Sequence, residues 1–433
     1  MPKPKSIQIV TLGCSKNLVD SEKLLAQLPP ARFRIRTEEQ GPADIMIINT
    51  CGFIHDAKEE SIDTILEILE QKKRGVVSEV LVTGCLSERY MADLKQEIPE
   101  VDAWFGVRQP EDLFSYLNEK YTSNSPSRYL TTPSHYAYLK IAEGCDRTCS
   151  FCAIPMIRGA YTSLPVELLV EEAHLLAAKG VKELILVAQD LSYYGYDLYG
   201  KPMLAKLLQH LNEVDGVEWI RLHYAYPHNF PEDVIHLMAE DNKLCRYLDL
   251  PLQHINDKVL RAMRRGHNKA GTLALLKKLR DTIPGLALRT TLMTGFPGET
   301  EAAFAELLAF VESMRFDRLG VFAYSPEEGT RAFALGNTVP EKVKQARTEA
   351  IMLLQSEISL DINRSRIGKT LRVLIDREED RYFVGRTEYD SPEVDPEVLV
   401  EKAPGIVPGT FAKVMITGAE EYTLYARPVD DAC

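Results

Sequence analysis

The 433 residues carry a net charge of −12, and 45% of them are hydrophobic. At roughly 150 residues per domain, this length predicts about three domains. Eight cysteines in so long a chain exclude the framework of a small disulfide-rich protein, and their spacing favours a reducing compartment. No apolar run approaches the ~20 residues that cross a bilayer, and the N-terminus lacks a signal-peptide stretch, so we expect a cytoplasmic protein.

The first 120 residues show three short apolar runs that each end in a cysteine. The runs are SIQIVTLGC, ADIMIINTC and EVLVTGC, ending at Cys14, Cys51 and Cys85. They predict buried parallel strands joined by crossover helices, one of which spans residues 58–71. Because strand ends in a doubly wound sheet share one edge, the three cysteines should converge there. The alternative is that they are small buried hydrophobic residues.

A polar segment, residues 121–134 with the sequence YTSNSPSRYLTTPS, predicts a linker. Beyond it, over residues 135–366, strand-like runs alternate with helical ones. The six runs are YAYLKIA, LILVA, WIRLHY, YLDLPL, LRTTLM and LGVFAY. This alternation predicts a partial (βα) barrel whose site lies at the C-terminal ends of its strands.

The segment EGCDRTCSFCAIP follows the first of these strands and carries Cys145, Cys149 and Cys152 in a C-x3-C-x2-C pattern. Three thiolates are one short of the four that close a four-iron cluster, and the open iron can bind a substrate. A structural zinc site requires four ligands, and no second C-x2-C pair is present in the sequence. The pattern therefore favours an iron–sulfur cluster over zinc.

A long helix is predicted over residues 341–366, and five short strands follow it in residues 367–433. These strands predict a small OB-like β-barrel. From residue 368 onward, eight basic and fourteen acidic residues give −6, which is half of the charge of the chain. Phosphate binding needs the opposite sign, so we expect weak or absent nucleic-acid binding and a basic protein partner. An acidic surface that only contacts solvent is the alternative.

With the aromatic Phe151 before its last cysteine, the C-x3-C-x2-C motif resembles the radical S-adenosylmethionine (SAM) superfamily. The resemblance implies a [4Fe-4S] cluster that binds SAM and cleaves it to a hydrogen-abstracting radical. The C-terminal module resembles a TRAM domain, which either carries substrate or only stabilises the fold. The three modules together resemble the methylthiotransferase family, whose first domain is flavodoxin-like. That family implies a second [4Fe-4S] cluster at Cys14, Cys51 and Cys85, which holds a sulfide or polysulfide.

Within that family, the strings LGCSKNLVDSE, NTCGFI, RLHYAYP and LDLPLQH resemble the branch that modifies a ribosomal protein. The resemblance implies that a methylthio group is attached to the β-carbon of an aspartate in small-subunit ribosomal protein twelve. It also implies an electron donor such as flavodoxin. Three alternatives remain: a tRNA adenosine methylthiotransferase, a radical SAM enzyme without sulfur insertion, and a non-catalytic RNA-binding protein.

The chain departs from the family pattern at two positions. Leu164 stands where an arginine is expected, which makes Arg158 the candidate substitute, and Ser15 stands where proline is common.

Candidate SAM contacts follow from position at the strand ends. They are Gln189, Asp190, Arg221, His223, Gln253, His254 and Arg289, together with Gly295 and Gly298 of the GFPGET segment. That segment resembles the glycine motif whose backbone approaches the adenine, although a tight strand–helix turn explains it equally well. Tyr324 is expected to be a core residue. Cys245 is predicted to be a buried filler, and Cys433 to have no role.

Overall fold

The computed structural model describes residues 3–240 and 242–429, and Cys433 lies outside these ranges. The N-terminal unit is a parallel sheet covered on both faces by helices. Its elements are β1 (Lys5–Thr11), α1 (Ser15–Ala26), β2 (Phe33–Ile35), β3 (Ile45–Thr50), α2 (His55–Lys73), β4 (Glu79–Gly84), α3 (Cys85–Glu97), β5 (Ala103–Trp104) and α4 (Pro110–Tyr116). The strand order β2-β1-β3-β4-β5 is that of flavodoxin, which confirms the predicted doubly wound domain.

The second unit is an open parallel barrel. Its elements are β6 (Tyr136–Lys140), β7 (Ala142–Glu143), α5 (Ile154–Arg158), β8 (Thr162–Ser163), α6 (Val166–Ala178), β9 (Glu183–Val187), α7 (Tyr196–Tyr199), α8 (Leu204–Asn212), β10 (Trp219–Leu222), α9 (Glu232–Ala239), β11 (Leu244–Asp249), α10 (Asp257–Ala262), α11 (Lys269–Thr282), β12 (Ala287–Thr294), α12 (Glu301–Met314), β13 (Arg318–Ala323) and α13 (Glu341–Arg364).

The six main strands of this unit pair in chain order, β6-β9-β10-β11-β12-β13. Strands such as β9, whose five residues are all buried, read as continuous apolar runs because helices cover the sheet. The large core lies between these strands and helices α6, α8, α9, α11 and α12. The predicted partial (βα) barrel is therefore confirmed.

The third unit is a closed five-stranded barrel. Its strands are β14 (Thr370–Glu378), β15 (Tyr382–Thr387), β16 (Glu397–Glu401), β17 (Phe411–Ala419) and β18 (Thr423–Pro428), in the order β14-β15-β16-β18-β17. Alternate residues of each strand, such as Val373 and Ile375, fill its interior. Of the helices that the structure describes, none is both long and apolar enough to span a membrane.

Residues 121–134, where we predicted a linker, contain no helix or strand and are held against both neighbouring units. The fully buried Arg128 donates to Oε1 of Glu172 in the barrel at 2.8 Å, and it also pairs with Glu22 of the N-terminal unit. Because a buried arginine needs such partners, this segment is fixed in place.

Three acidic residues of the third unit are paired inside the chain, so they do not add to its surface charge. Asp390 pairs with Arg318, Asp395 accepts from the hydroxyl of Tyr247 at 2.7 Å, and Asp376 pairs with Arg386. The Asp390 and Asp395 side chains are at most 2% exposed. The sequence count could not separate these buried carboxylates from exposed ones.

Candidate functional site

Cys14, Cys51 and Cys85 lie together at the C-terminal edge of the first sheet. Cys14 precedes α1, Cys51 follows β3 and Cys85 begins α3, and strands β1, β3 and β4 are neighbours. A Cβ placed on Gly13 would lie 2.8 Å from the sulfur of Cys51, and Gly13 has a φ of +88°. Only glycine therefore lets the first loop pass this close to the second cysteine.

The three thiols differ in their electrostatic surroundings. Burial alone would raise the pKa of Cys14, but Lys16, Arg158 and the first backbone N–H groups of α1 together lower it below its ordinary value. Burial raises the pKa of Cys51, and it raises the pKa of Cys85 to about 12. The set therefore contains one thiol that favours the thiolate and two that need a metal to lose their protons.

Cys145, Cys149 and Cys152 line a cavity of about 420 Å³ above the second unit, with Met156 and the 329–331 segment opposite. Burial raises the pKa of Cys145 to about 11 and that of Cys152 to about 12. Nη1 of Arg265 donates to the sulfur of Cys149 at 3.6 Å.

Each set offers three unbridged thiols, which are the soft donors that iron–sulfur clusters use. Among the described residues, no group of three His, Cys, Asp or Glu side chains is placed to hold a single metal ion. In a four-iron cluster each thiolate binds a different iron, so its ligands stand further apart than those of one ion. The residues present fit such a cluster in both places.

A buried ionic network joins the two sets. Arg158, at the end of α5 and six residues after Cys152, pairs with Asp20 at 3.0 Å and with Glu143 at 2.9 Å, and it donates to the side-chain carbonyl of Asn17. Lys140 pairs with the same two carboxylates. Burial would raise the pKa of Glu143, but Lys140 and Arg158 hold it well below its ordinary value. This network fixes the N-terminal unit on the barrel.

Gln189 and Asp190 follow β9 and lie beside the loop that carries Cys145, Cys149 and Cys152. The amide nitrogen of Gln189 donates to Glu143 at 3.1 Å, while its buried carbonyl oxygen has no partner among the described residues. Asp190 accepts from Ser192 and from Nε of Arg147 at 2.8 Å, so it positions the arginine inside the cysteine loop.

Arg221, which we expected at the SAM site, has all its observed partners elsewhere. Its guanidinium is fully buried, pairs with Glu183 at 2.6 Å and donates to the backbone carbonyl of Glu388 in the third unit. His223 hydrogen-bonds Ser391, also in the third unit. Both residues therefore join the barrel to the C-terminal module. This contact could not be predicted from their positions in a strand of the sequence.

Arg289 lies between two carboxylates, 3.1 Å from Asp249 and 3.4 Å from Asp395. Gln253 has a left-handed backbone, with a φ of +71°, and bridges to Leu292 of β12. His254 is fully buried and lies 3.6 Å from Glu299, so it belongs to the core.

The two glycines of the GFPGET segment differ. A Cβ on Gly295 would lie 2.2 Å from Cγ of Lys344, whereas no atom lies within 4 Å of a Cβ on Gly298. Gly295 is thus required by packing, and only Gly298 faces open space. Tyr324 is 2% exposed, packs on Phe296 and is a core residue.

The structure shows further residues at the site that the sequence did not single out. Arg147 and Arg265 both lie 4.3 Å from the ring centre of Tyr226, one on the cysteine loop and one after α10. Lys16 lies near Cys14, with its ammonium 3.6 Å from the ring centre of Tyr224. Arg147 and Lys16 had one sequence signal, which was proximity to a cysteine, and charged residues in such positions usually face solvent. Arg265 had no such signal, since no cysteine of either set lies near it in the sequence.

Cys245 and Leu164 lie outside both cysteine sets. Cys245 is buried in β11 between aromatic residues, and burial raises its pKa to about 12. Leu164 packs against the barrel core.

Comparison with known proteins relates all three units to described families. Residues 139–311 match the radical SAM superfamily, residues 6–106 match the uncharacterized protein family UPF0004, and residues 367–429 match the TRAM domain. Among solved structures, the radical SAM methyltransferase TsrM of Kitasatospora setae is similar in fold. It has a TM-score of 0.55 and 13% identity, with 73% of this chain and 72% of that chain covered.

Curated relatives are much more similar in sequence. Ribosomal protein uS12 methylthiotransferase RimO of Christiangramia forsetii is 53% identical over 99% of this chain and 95% of its own length. The RimO proteins of Flavobacterium johnsoniae (98% of both chains covered) and Porphyromonas gingivalis (98% and 99%) are 53% and 52% identical. With this identity over nearly full length, the chain belongs to the RimO family of radical SAM methylthiotransferases.

Proposed function

We propose that this enzyme attaches a methylthio group to the β-carbon of an aspartate in ribosomal protein uS12. The [4Fe-4S] cluster that the radical SAM superfamily implies would be held by Cys145, Cys149 and Cys152. A second cluster, carrying a sulfide or polysulfide, would be held by Cys14, Cys51 and Cys85. The observation that carries the proposal is that two separate sets of three thiols are joined by the buried network around Arg158.

When bound, the clusters and SAM supply the electron, the hydrogen-abstracting radical, the sulfur and the methyl group. The chain supplies their placement. Arg158 and Lys140 fix the relative position of the two cysteine-bearing units through Asp20 and Glu143. Arg265 places positive charge beside Cys149, and Arg147 is held by Asp190.

Three residues are proposed to contact SAM. The buried carbonyl oxygen of Gln189 has no partner and is able to accept from an amino group. Gln253 turns with a left-handed backbone at the end of β11, and Gly298 leaves open space for a flat ring. Arg289 and Asp190 would act on the site through their ionic partners.

The substrate assignment rests on the family, since the relatives are named for uS12. Some outer cations of the C-terminal barrel are already paired, as in Arg377 with Glu397 and Lys402 with Glu378, which lowers the positive charge available to phosphate groups. We therefore propose weak direct binding to nucleic acid. From the family resemblance we also propose reduction by a flavodoxin-like donor, and we propose a cytoplasmic location.

An anaerobic reaction tests the proposal. The protein, reconstituted with iron and sulfide, is supplied with SAM, dithionite and a sulfide source, and purified uS12 and tRNA are offered in parallel. Mass spectrometry should show a methylthio increment on an aspartate of uS12. An increment on tRNA adenosine would instead support the tRNA-modifying alternative, and deoxyadenosine without either product would support a radical SAM enzyme without sulfur insertion.

A further inference from the structure

Lys16 is a buried cation that forms no ion pair with a carboxylate of any described residue, although its charge lowers the pKa of the nearby Cys14 thiol. It lies in the first turn of α1, two residues after Cys14, and is 7% exposed. Its ammonium makes no hydrogen bond or ion pair with any residue in 3–240 or 242–429. Since burying a charge is costly unless it is paired, a chain keeps such a group where a ligand completes it.

The neighbouring carboxylates do not pair with Lys16. The two other cations nearby, Lys140 and Arg158, are already balanced by Asp20 and Glu143, which accept from both of them. The charge of Lys16 therefore acts on the Cys14 thiol, whose pKa it lowers, while the N–H groups of its ammonium make no hydrogen bond with any described residue. An anion is the ligand that this environment favours.

Tyr224 forms the other wall of this position. It follows β10 with a φ of +63°, a conformation that a bulky residue rarely adopts, and its backbone N–H donates to Asp249 at 3.1 Å. Its ring holds the ammonium at 3.6 Å from the ring centre. A cation on an aromatic face is held in place while its N–H donors stay available to an acceptor.

We propose that Lys16 forms a carboxylate-binding site between the two cysteine sets, and that it binds the side chain of the uS12 aspartate that is modified. This inference rests on the proposed function. A group placed between Cys14 and the strand ends of the barrel lies where sulfur and substrate must meet. The aspartate carboxylate is one bond from the reacting β-carbon, so a residue that binds the carboxylate also fixes the position of the β-carbon. An adenosine base carries no negative charge and would not be selected.

The test compares two substrates on four enzymes. The substrates are uS12 and uS12 with its modified aspartate replaced by asparagine. The enzymes are the reconstituted wild type, Lys16→Met, Lys16→Arg and the control Lys95→Met, which removes one charge from the exposed end of α3. Dissociation constants are measured anaerobically by fluorescence anisotropy of labelled uS12, and SAM binding and iron content are measured alongside.

We expect the wild type and Lys95→Met to bind the aspartate form about 10- to 100-fold more tightly than the asparagine form. Lys16→Met should bind both forms equally, Lys16→Arg should keep part of the preference, and SAM affinity and iron content should stay unchanged. A preference that survives in Lys16→Met overturns the proposal. A selective loss of SAM affinity in that variant would assign Lys16 to the SAM carboxylate instead.

Two further outcomes also overturn the assignment. Loss of iron from Lys16→Met without a wild-type preference for aspartate would give Lys16 a structural role at Cys14. If Lys16→Met does not fold, the comparison of the two substrates on the wild type tests the proposal, because equal binding of the aspartate and asparagine forms contradicts a carboxylate site. A wild type that neither binds nor modifies uS12 contradicts the proposed function itself, which separates the two failures.

Discussion

Nη1 of Arg158 lies 3.0 Å from Oδ2 of Asp20, so the helix that follows Cys152 is tied to the helix that follows Cys14. The Arg158 side chain is 1% exposed and also contacts Glu143 and Asn17. Together with Lys140, which pairs with the same carboxylates, Arg158 therefore holds the helix after Cys14 against the barrel.

Replacing Arg158 by methionine should uncouple the two sets. The change leaves the part-exposed carboxylates of Asp20 and Glu143 with Lys140 as their remaining cation. Because solvent reaches both carboxylates, the cost should be smaller than the roughly 3–5 kcal/mol of a fully buried pair. We expect deoxyadenosine formation to persist and methylthio transfer to uS12 to fall at least about 10-fold. Product analysis by mass spectrometry measures both. Arg315→Met, which removes an exposed ion pair with Asp361, is the control and should leave both products unchanged.

The two cysteine sets should be separable by mutation. Changing Cys14, Cys51 and Cys85 to alanine should abolish methylthio transfer and leave deoxyadenosine formation, because the radical is generated at the other set. Changing Cys145, Cys149 and Cys152 should abolish both. Each triple variant should retain about four irons per chain after reconstitution. Cys245→Ala is the control, with full iron content and a stability loss of about 1 kcal/mol. Equal iron loss in all three variants would contradict the assignment.

Gly295 and Gly298 should respond differently to alanine. Gly295→Ala forces a Cβ against Lys344, so we expect a loss of at least about 2 kcal/mol in stability, measured by calorimetry. Gly298→Ala meets no atom and should cost about 1 kcal/mol because of its φ of +89°. If the Gly298 backbone faces SAM, the second variant should raise the KM for SAM. An unchanged KM would remove Gly298 from the SAM site.

Docking of the C-terminal barrel should weaken in acid. Burial would raise the pKa of Asp390, but Arg318 and Arg366 outweigh it and hold the pKa below its ordinary value. A carboxyl with a lower pKa in the folded state contributes stability above its unfolded pKa of about 4, and this contribution is lost as the pH falls through the folded pKa.

Asp390→Asn should therefore lower the thermal midpoint at pH 7, with a loss of roughly 3 kcal/mol in the free energy of unfolding. The difference in thermal midpoint between this variant and the wild type should become smaller as the pH falls below about 4. Calorimetry across pH 7 to 3 measures this. Asp380→Asn, at an exposed turn between β14 and β15, is the control. A difference that is constant over this range would show that Asp390 does not act through its charge.

Element positions were largely predictable because buried parallel strands leave continuous apolar runs. The runs ending at Cys51 and Cys85 became β3 and β4. Strands β2 and β5, with three and two residues, are too short to show a period and were not predicted. The family was predicted from the two cysteine patterns and the order of the three modules, and the substrate branch from strings such as LGCSKNLVDSE and LDLPLQH.

The sequence position of a polar residue at a strand end does not decide whether it contacts a ligand or a neighbouring unit. Arg221 and His223 turned toward the C-terminal module, whereas Gln189 kept an unpaired oxygen beside the cysteine loop. Periodicity indicates which element a residue belongs to, but it does not indicate which neighbouring unit covers that element.

The amino-acid sequence by itself determined the three units, their order and the two cysteine sets, since hydrophobic period and ligand spacing are local properties. The tertiary structure alone decided which charges are paired. It placed Arg158 between the two sets, consumed Asp390 and Asp395 inside the chain, and left Lys16 without a carboxylate. Pairing depends on the approach of residues more than a hundred positions apart, as with Arg158 and Asp20, and the folded chain fixes that approach.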